Sequence, residues 1–461
     1  MEGIIKQLVG KARAAQEEIE FWPQDRVDEM VASVGWQLFQ RTNAEACAQL
    51  AITETGMGIY EDKILKHQKK TLGVLQDLHG LKTVGVIEDD EAKGLIKIAK
   101  PVGVIGALTP VTNASSTICS KGLSTLKTRN AVIFAPHPKA KATCDLTCDY
   151  MREGLRQVKA PLDLVQNIQN PTVELTQELM KQVDLVVATG GSAMVKVAYS
   201  SGTPAYGVGA GNAVVVVDET ADLKDASNKI YLGKTFDNAT SCSSENSAII
   251  QNSVFDTIVE LFIGHGGYLC NAEDKLRLKQ VMWPDGVHLS KEVVGQSAKK
   301  IAALVNIKAS YEIKFLMVIG ESVGHSDMFS GEKLSPVLTL WKYEKFEDAI
   351  NLVSDITRYS GYGHSCGIHT TNDAHMMELA TRARVSRMMV RQVQPYGNSG
   401  NYDNGMPVAL TLGCGTWGGN IVSENVHWKH FLNTTWVSKP IPTNVPDENV
   451  IFGDHWKKFG M

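Results

Sequence analysis

The chain has 461 residues, 43% of them hydrophobic and 21% charged, with a formal net charge of −4. That balance supplies enough apolar material for roughly two or three globular domains and excludes disordered or fibrous chains. It leaves no basic excess for tracking nucleic-acid phosphates and no run of about 18 apolar residues to cross a bilayer, so small molecules are the expected partners, not nucleic acid or membrane.

In chain order, the N-terminal apolar run is too short for a secretory signal. Residues 85–106 read as two strands around Asp89-Asp-Glu-Ala-Lys-Gly94, a hairpin with little of its own to bury, which therefore needs a partner. From about 100 to 218, β-rich runs at Ala131 to Ala135, Leu164 to Ile168, Leu185 to Ala188 and Ala213 to Val217 alternate with helical patterns such as 142–157. That alternation predicts an α/β fold, a parallel sheet with helices on both faces. Ligands of such sheets bind beyond the carboxyl ends of the strands, where this chain carries Pro136-His137-Pro138, Thr189-Gly190-Gly191 and Asp218. Thr189-Gly-Gly-Ser192 follows a strand and opens a helix, the context for a dinucleotide phosphate, although no GxGxxG is present. Cys144 and Cys148 continue an apolar stripe with Met151 and Leu155, a helix face and not a metal site, and no metal is expected. The eight cysteines show no CxxC pair or disulfide framework, which fits a reducing cytoplasm.

A second αβ set spans about 222 to 425, with a helix at 253–263 and strands at Phe315 to Ile319 and Met388 to Val390. Near its start, Cys242 sits among Asn238, Thr240, Ser241, Ser243 and Ser244, surroundings too polar for an inert core thiol. The tail from about 428 to 461, rich in proline and aromatics, lacks a core, so it and the hairpin are both expected to dock on another subunit.

A cysteine thiolate can add to an aldehyde carbonyl, and the adduct can expel hydride to a nicotinamide, leaving a thioester. The developing oxyanion needs donors. Asn113, in the loop Thr109-Pro110-Val-Thr-Asn113 after the strand Val102 to Leu108, could supply one beside the Cys242 N–H; an Asx turn is the plainer reading of the same asparagine.

These segments, with Gly207-Val-Gly209-Ala-Gly-Asn212 and Glu332-Lys-Leu-Ser-Pro336, occur in the order of the aldehyde dehydrogenase superfamily, and the chain resembles it over nearly its whole length. Thr128-Arg-Asn130, His265-Gly-Gly-Tyr268 and Leu412-Gly-Cys-Gly-Thr-Trp-Gly-Gly-Asn420 are similar to the CoA-acylating branch, including the aldehyde domain of bifunctional aldehyde-alcohol dehydrogenases. The resemblance implies a Rossmann-type dinucleotide-binding domain of residues 1–84 and 103–220, a catalytic domain of 221–427, and an oligomerising hairpin and tail, 85–102 and 428–461, in a homodimer or dimer of dimers. It implies Cys242 as nucleophile, Asn113 as oxyanion donor, and Glu332 on the nicotinamide ribose. Thr109, Pro110, Thr189, Gly190, Gly191 and Gly209 would border NAD, with NADP as the alternative; Pro136, His137 and Pro138 would lie near the adenosine end.

Hydrolytic relatives carry a glutamate base where this chain has Gly207. Without a base, a contribution of roughly 10²- to 10⁴-fold, water should release the acyl group slowly, whereas the thiol of coenzyme A needs less help. The implied reaction is aldehyde, NAD and CoA to acyl-CoA and NADH. Arg391, in a loop resembling that of acylating sulfoacetaldehyde dehydrogenases, could pair with an anionic group on the aldehyde or with a CoA phosphate. Acetaldehyde and propionaldehyde remain open as substrates, as does a non-catalytic binding or scaffold subunit. His364 and Trp417 would line the cleft, with core packing as the plainer reading of either. The resemblance adds a bacterial microcompartment as an alternative location to the open cytoplasm.

Overall fold

The computed structural model describes residues 2–460; Met1 and Met461, the outer ends of the expected first domain and tail, lie outside it. A five-stranded sheet, all parallel, has the order Val165–Asn167, Ala131–Pro136, Val104–Thr109, Leu185–Thr189, Ala205–Val208. Every residue of Val104–Thr109 and Ala131–Pro136 is buried, as central strands covered on both faces must be. Helices Glu2–Ile19, Ser116–Lys127, Lys141–Gln157 and Val173–Gln182 supply the cover. The stripe Cys144, Cys148, Met151, Leu155 is fully buried in this core.

A second, seven-stranded parallel sheet runs Gly267–Leu269, Phe315–Ile319, Val337–Tyr343, Glu245–Gln251, Ala213–Val217, Cys366–His369, Met388–Val390. Ala213–Val217 is thus a central strand of the second sheet, paired with Glu245–Gln251 and Cys366–His369, and not part of the first as its sequence position suggests. Its five buried residues suit any interior parallel strand, so burial alone does not say which sheet receives them, and the change of sheet comes at the turn-like link 209–212. The division between the two sheets therefore falls at that turn, before the expected 220. At the other end, Val408, Val426 and Phe431 are buried in the first core, so the last part of 221–427 returns to the dinucleotide-side unit.

The hairpin strands Gly85–Asp90 and Leu95–Pro101 pair antiparallel, and Leu432–Ser438 pairs with Leu95–Pro101 along its full length. Hairpin and tail, both expected to seek a partner in another subunit, meet each other within one chain. The ammonium of Lys97 sits 4.5 Å from the Trp436 ring across that pairing. The helix Glu448–Phe459 buries none of its residues, and Val450, Ile451 and Phe459 are exposed. Among the described residues, no helix is long and apolar enough to cross a membrane.

Candidate active site

The approach to Cys242 is unusual backbone. Asp237, Asn238 and Ala239 have φ of 50°, 52° and 57°, three successive left-handed residues without a glycine. Each such conformation costs about 1–2 kcal/mol and persists only where the surroundings dictate it. Here they do. The Asp237 carboxylate, fully buried, accepts from Ile59 N at 2.8 Å, Lys66 Nζ at 2.5 Å, Lys63 Nζ at 3.2 Å and Thr240 Oγ1 at 2.6 Å, and its own N–H donates to Asp62. Burial alone would raise its carboxyl, but Lys66 and Lys63 outweigh that and hold it below the usual carboxylate range. Asn238 Nδ2 donates to Gly295 O at 3.1 Å. The helix Tyr60–Leu78, which carries both lysines, is thereby pinned to the cysteine loop.

Lys66 Nζ also donates to Asn113 Oδ1 at 2.8 Å. An ammonium has no acceptor, so this bond fixes which end of the Asn113 amide faces Lys66 and leaves the NH₂ free for an oxyanion. On the other side, a Cβ at Gly211 would fall 1.9 Å from the Cys242 carbonyl oxygen; only glycine lets the 209–212 turn lie against the cysteine backbone. The Gly211 N–H donates to Glu332, whose carboxyl burial pushes up to about 8.

Cys242 Sγ lies 3.3 Å from His364 Nε2, and His364 Nδ1 lies 2.8 Å from Ser365 Oγ. Burial, then the Glu332 carboxylate, pushes the thiol up to about 12; burial, then the Arg387 cation, holds the imidazole down to about 3. The resting pair is therefore neutral at pH 7, thiol beside imidazole.

A cavity of about 350 Å³ connects these groups, a volume within the usual range for a small-molecule site. It is lined by Cys242, Asn113, Thr109, Pro110, Pro136, His137, Pro138, Thr189, Gly190, Gly191, Gly209 and Glu332, so every expected catalytic and cofactor-side residue borders one space. Thr109, Pro136 and Thr189 end adjacent parallel strands, and Gly191 precedes the helix Ser192–Tyr199. A Cβ at Gly190 or Gly191 would meet nothing within 4 Å, so the bare backbone at that helix start opens on free space, as a pyrophosphate there would need. The residues present fit a dinucleotide. His364 also lines the cavity, whereas Trp417 is 42% exposed outside it.

Arg391 is placed otherwise than the substrate reading requires. It follows Met388–Val390 with φ 53°, is exposed, and borders neither this cavity nor the chamber next to it. Gly207 lies in the strand Ala205–Val208; a Cβ there would meet Val195 at 2.7 Å and Tyr199 at 2.8 Å, and Tyr199 Oη bonds its N–H and C=O. A side chain at this position would run into the helix Ser192–Tyr199. Asp218, Glu219 and His375 stand close enough together to share a metal ion, but the Asp218 carboxylate is already taken by Thr220, Thr370 and His375.

Lys66, Asp237 and the His364 contact are functional features that motif reading missed. A usable signal existed in the helix, where Lys63, Lys66, Lys69 and Lys70 recur at i, i+3 and i+4 spacing on one face.

Two open parallel sheets meet over a cysteine with a glycine-lined cavity beside it, the architecture of a nucleotide-dependent dehydrogenase. The description "Aldehyde dehydrogenase family" matches residues 3–269, and the chain belongs to that family. It is 50% identical over 459 residues to a sulfoacetaldehyde dehydrogenase of an Acholeplasma species, covering 99% of this chain and 95% of that one. It is 43% identical to an acylating sulfoacetaldehyde dehydrogenase of Cupriavidus necator, covering 98% and 92% of the two chains. The crystal structure of an acetylating aldehyde dehydrogenase from Geobacillus thermoglucosidasius superposes with a TM-score of 0.93 at 34% identity, over 97% of this chain and 98% of that one.

Proposed function

We propose that the protein is a CoA-acylating aldehyde dehydrogenase acting on a short aldehyde, sulfoacetaldehyde first, with NAD or NADP as hydride acceptor. The reading rests on one observation: the cysteine faces a nucleotide-sized cavity that offers water no ionised carboxylate base. Glu332 is the only carboxylate side chain among the described residues lining that cavity, and with its carboxyl pushed up to about 8 it is mostly protonated at pH 7. Gly207 adds none.

Cys242 would add to the aldehyde carbonyl while Asn113 Nδ2 and the Cys242 N–H receive the oxyanion. In the tautomer whose Nδ1 proton goes to Ser365, His364 would present a bare Nε2 to the sulfur and take the thiol proton as the S–C bond forms. A nicotinamide bound beyond Gly209 and Glu332 would accept the hydride. The thioester left on Cys242 then passes to the CoA thiol, one thioester exchanged for another, so the reaction is reversible. The names of the relatives favour sulfoacetaldehyde; propionaldehyde and acetaldehyde are the runners-up. The exposed tail helix and hairpin sheet support a homodimer or dimer of dimers, and eight free cysteines support a reducing compartment.

Steady NADH formation is expected to require CoA, with the acyl-CoA identified by mass. Sustained turnover to free acid without any thiol rejects the proposal. Asn113→Ala is expected to lower kcat about 10²- to 10³-fold with little change in aldehyde KM, measured as steady-state NADH formation. A loss confined to KM would remove the amide from the oxyanion role.

A further inference from the structure

Behind Asn113 lies a second chamber, of about 80 Å³, that shares Asn113 and Leu410 with the main cavity and includes Ser241, the neighbour of the nucleophile. Its volume suits a head group of a few atoms, roughly the space of several waters. Among the described residues, its wall contains Lys66, Lys69 and Lys70 and no carboxylate. Phe236 and Tyr396, ring centroids 4.9 Å apart, close it on the remaining sides with Pro395 and Leu65.

The three ammonium groups are not equivalent. Lys66 is committed to Asp237 and Asn113. Lys70, buried, gives its Nζ to the carbonyls of Ser399 and Gly400 at 3.2 and 2.5 Å; burial holds its ammonium down to about 7, with Asp77 the acid that opposes the shift. Lys69 is held between aromatic rings, its Nζ 5.1 Å from the Tyr396 centroid and 5.4 Å from that of Tyr402. Among the described residues Asp403 is the only acid acting on it, from beyond ion-pair distance, and Asp403 already accepts from Asn401. Lys69, half-buried and in no ion pair, offers an entering anion a cation, and a bound anion would in turn favour the charged form of Lys70 beside it.

We propose that this chamber is the anion subsite of the aldehyde: Lys69, backed by Lys70, receives a terminal sulfonate while the carbonyl lies between Asn113 and Cys242. The assignment rests on the acylating reading above and replaces Arg391 as the source of charge selectivity. A head group one methylene from the carbonyl is short enough to require its cation this close to Asn113. A small uncharged aldehyde would then compete poorly, because its methyl would sit against the Lys69 ammonium without neutralising it.

The test compares wild type, Lys69→Gln, Lys69→Arg and Arg391→Ala on sulfoacetaldehyde and propionaldehyde with saturating CoA, and measures competition by ethanesulfonate, which cannot react. Lys69→Gln is expected to lower the ratio of kcat/KM for sulfoacetaldehyde over propionaldehyde about 10- to 100-fold, the range for a hydrogen bond to a charged group. It should weaken ethanesulfonate competition similarly, and Lys69→Arg should restore most of both. Equal losses on the two aldehydes, a change confined to the KM of CoA, or selectivity lost in Arg391→Ala but kept in Lys69→Gln would overturn the subsite. So would a wild type that does not distinguish the two aldehydes. If instead the wild type turns over without CoA, the acylating reading fails, and the ethanesulfonate competition of the Lys69 variants still decides the subsite.

Discussion

Replacing Cys242 with alanine is expected to cut NADH formation by a factor on the order of 10⁴ to 10⁶, the scale of losing a covalent nucleophile, with folding unaffected. The loss should be this large because no second thiol lines the cavity among the described residues, and His364 has its own proton affinity suppressed by burial. Retention of full activity would remove Cys242 from the nucleophile's role. A companion measurement reads the electrostatics directly. With the thiol pushed up to about 12, the thiolate fraction of the free enzyme rises about tenfold per pH unit through the neutral and alkaline range. Alkylation by iodoacetamide should therefore be slow at pH 7 and climb with that slope; a plateau near pH 8 would mean that His364 already holds the sulfur as thiolate.

Asp237→Ala is expected to be the most destabilising single substitution near the site, by about 3–5 kcal/mol, because it leaves two ammonium groups buried without their counter-charge. The side chains concerned are nearly sealed, at 0% exposure for Asp237, 6% for Lys66 and 10% for Lys63, so solvent does little to screen the loss. The left-handed run Asp237 to Ala239 then loses its main restraint, and Lys66 loses the anchor from which it orients Asn113. A fall in the denaturant midpoint together with a drop in kcat is the predicted pair of effects. Lys66→Met should separate them, removing the grip on Asn113 while Lys63 still faces Asp237. A fully active Asp237→Ala protein of ordinary stability would show that the loop holds its shape without the cluster.

Much of this molecule was readable from residues alone, for definite reasons. The runs Ala131 to Ala135 and Leu185 to Ala188 announce buried strands because parallel strands are apolar on both faces, and glycines after them mark where backbone must lie open. Cys242 stands in a loop whose polar, small-residue surroundings set it apart from the core, whereas the roles of Asn113 and Glu332 were marked only by the resemblance to the aldehyde dehydrogenase superfamily. What the chain order hides is assembly. A valine run does not say which of two sheets will take it, so Ala213 to Val217 falls on the wrong side of the expected boundary. The pairing of Leu432–Ser438 with Leu95–Pro101 joins segments more than three hundred residues apart by backbone bonds that carry almost no side-chain signature. Arg391 was singled out for its type and neighbourhood, but the chamber is charged by lysines from a helix that no catalytic motif marks.

The turn at 209–212 has two tenancies. It is the link by which the chain leaves one sheet for the other, and it is also the floor on which the cysteine main chain rests, with no room for even a methyl group between them. Any hinge-like rocking of the two halves would therefore be transmitted to the sulfur without slack, so opening of the cleft and retraction of the nucleophile become a single motion.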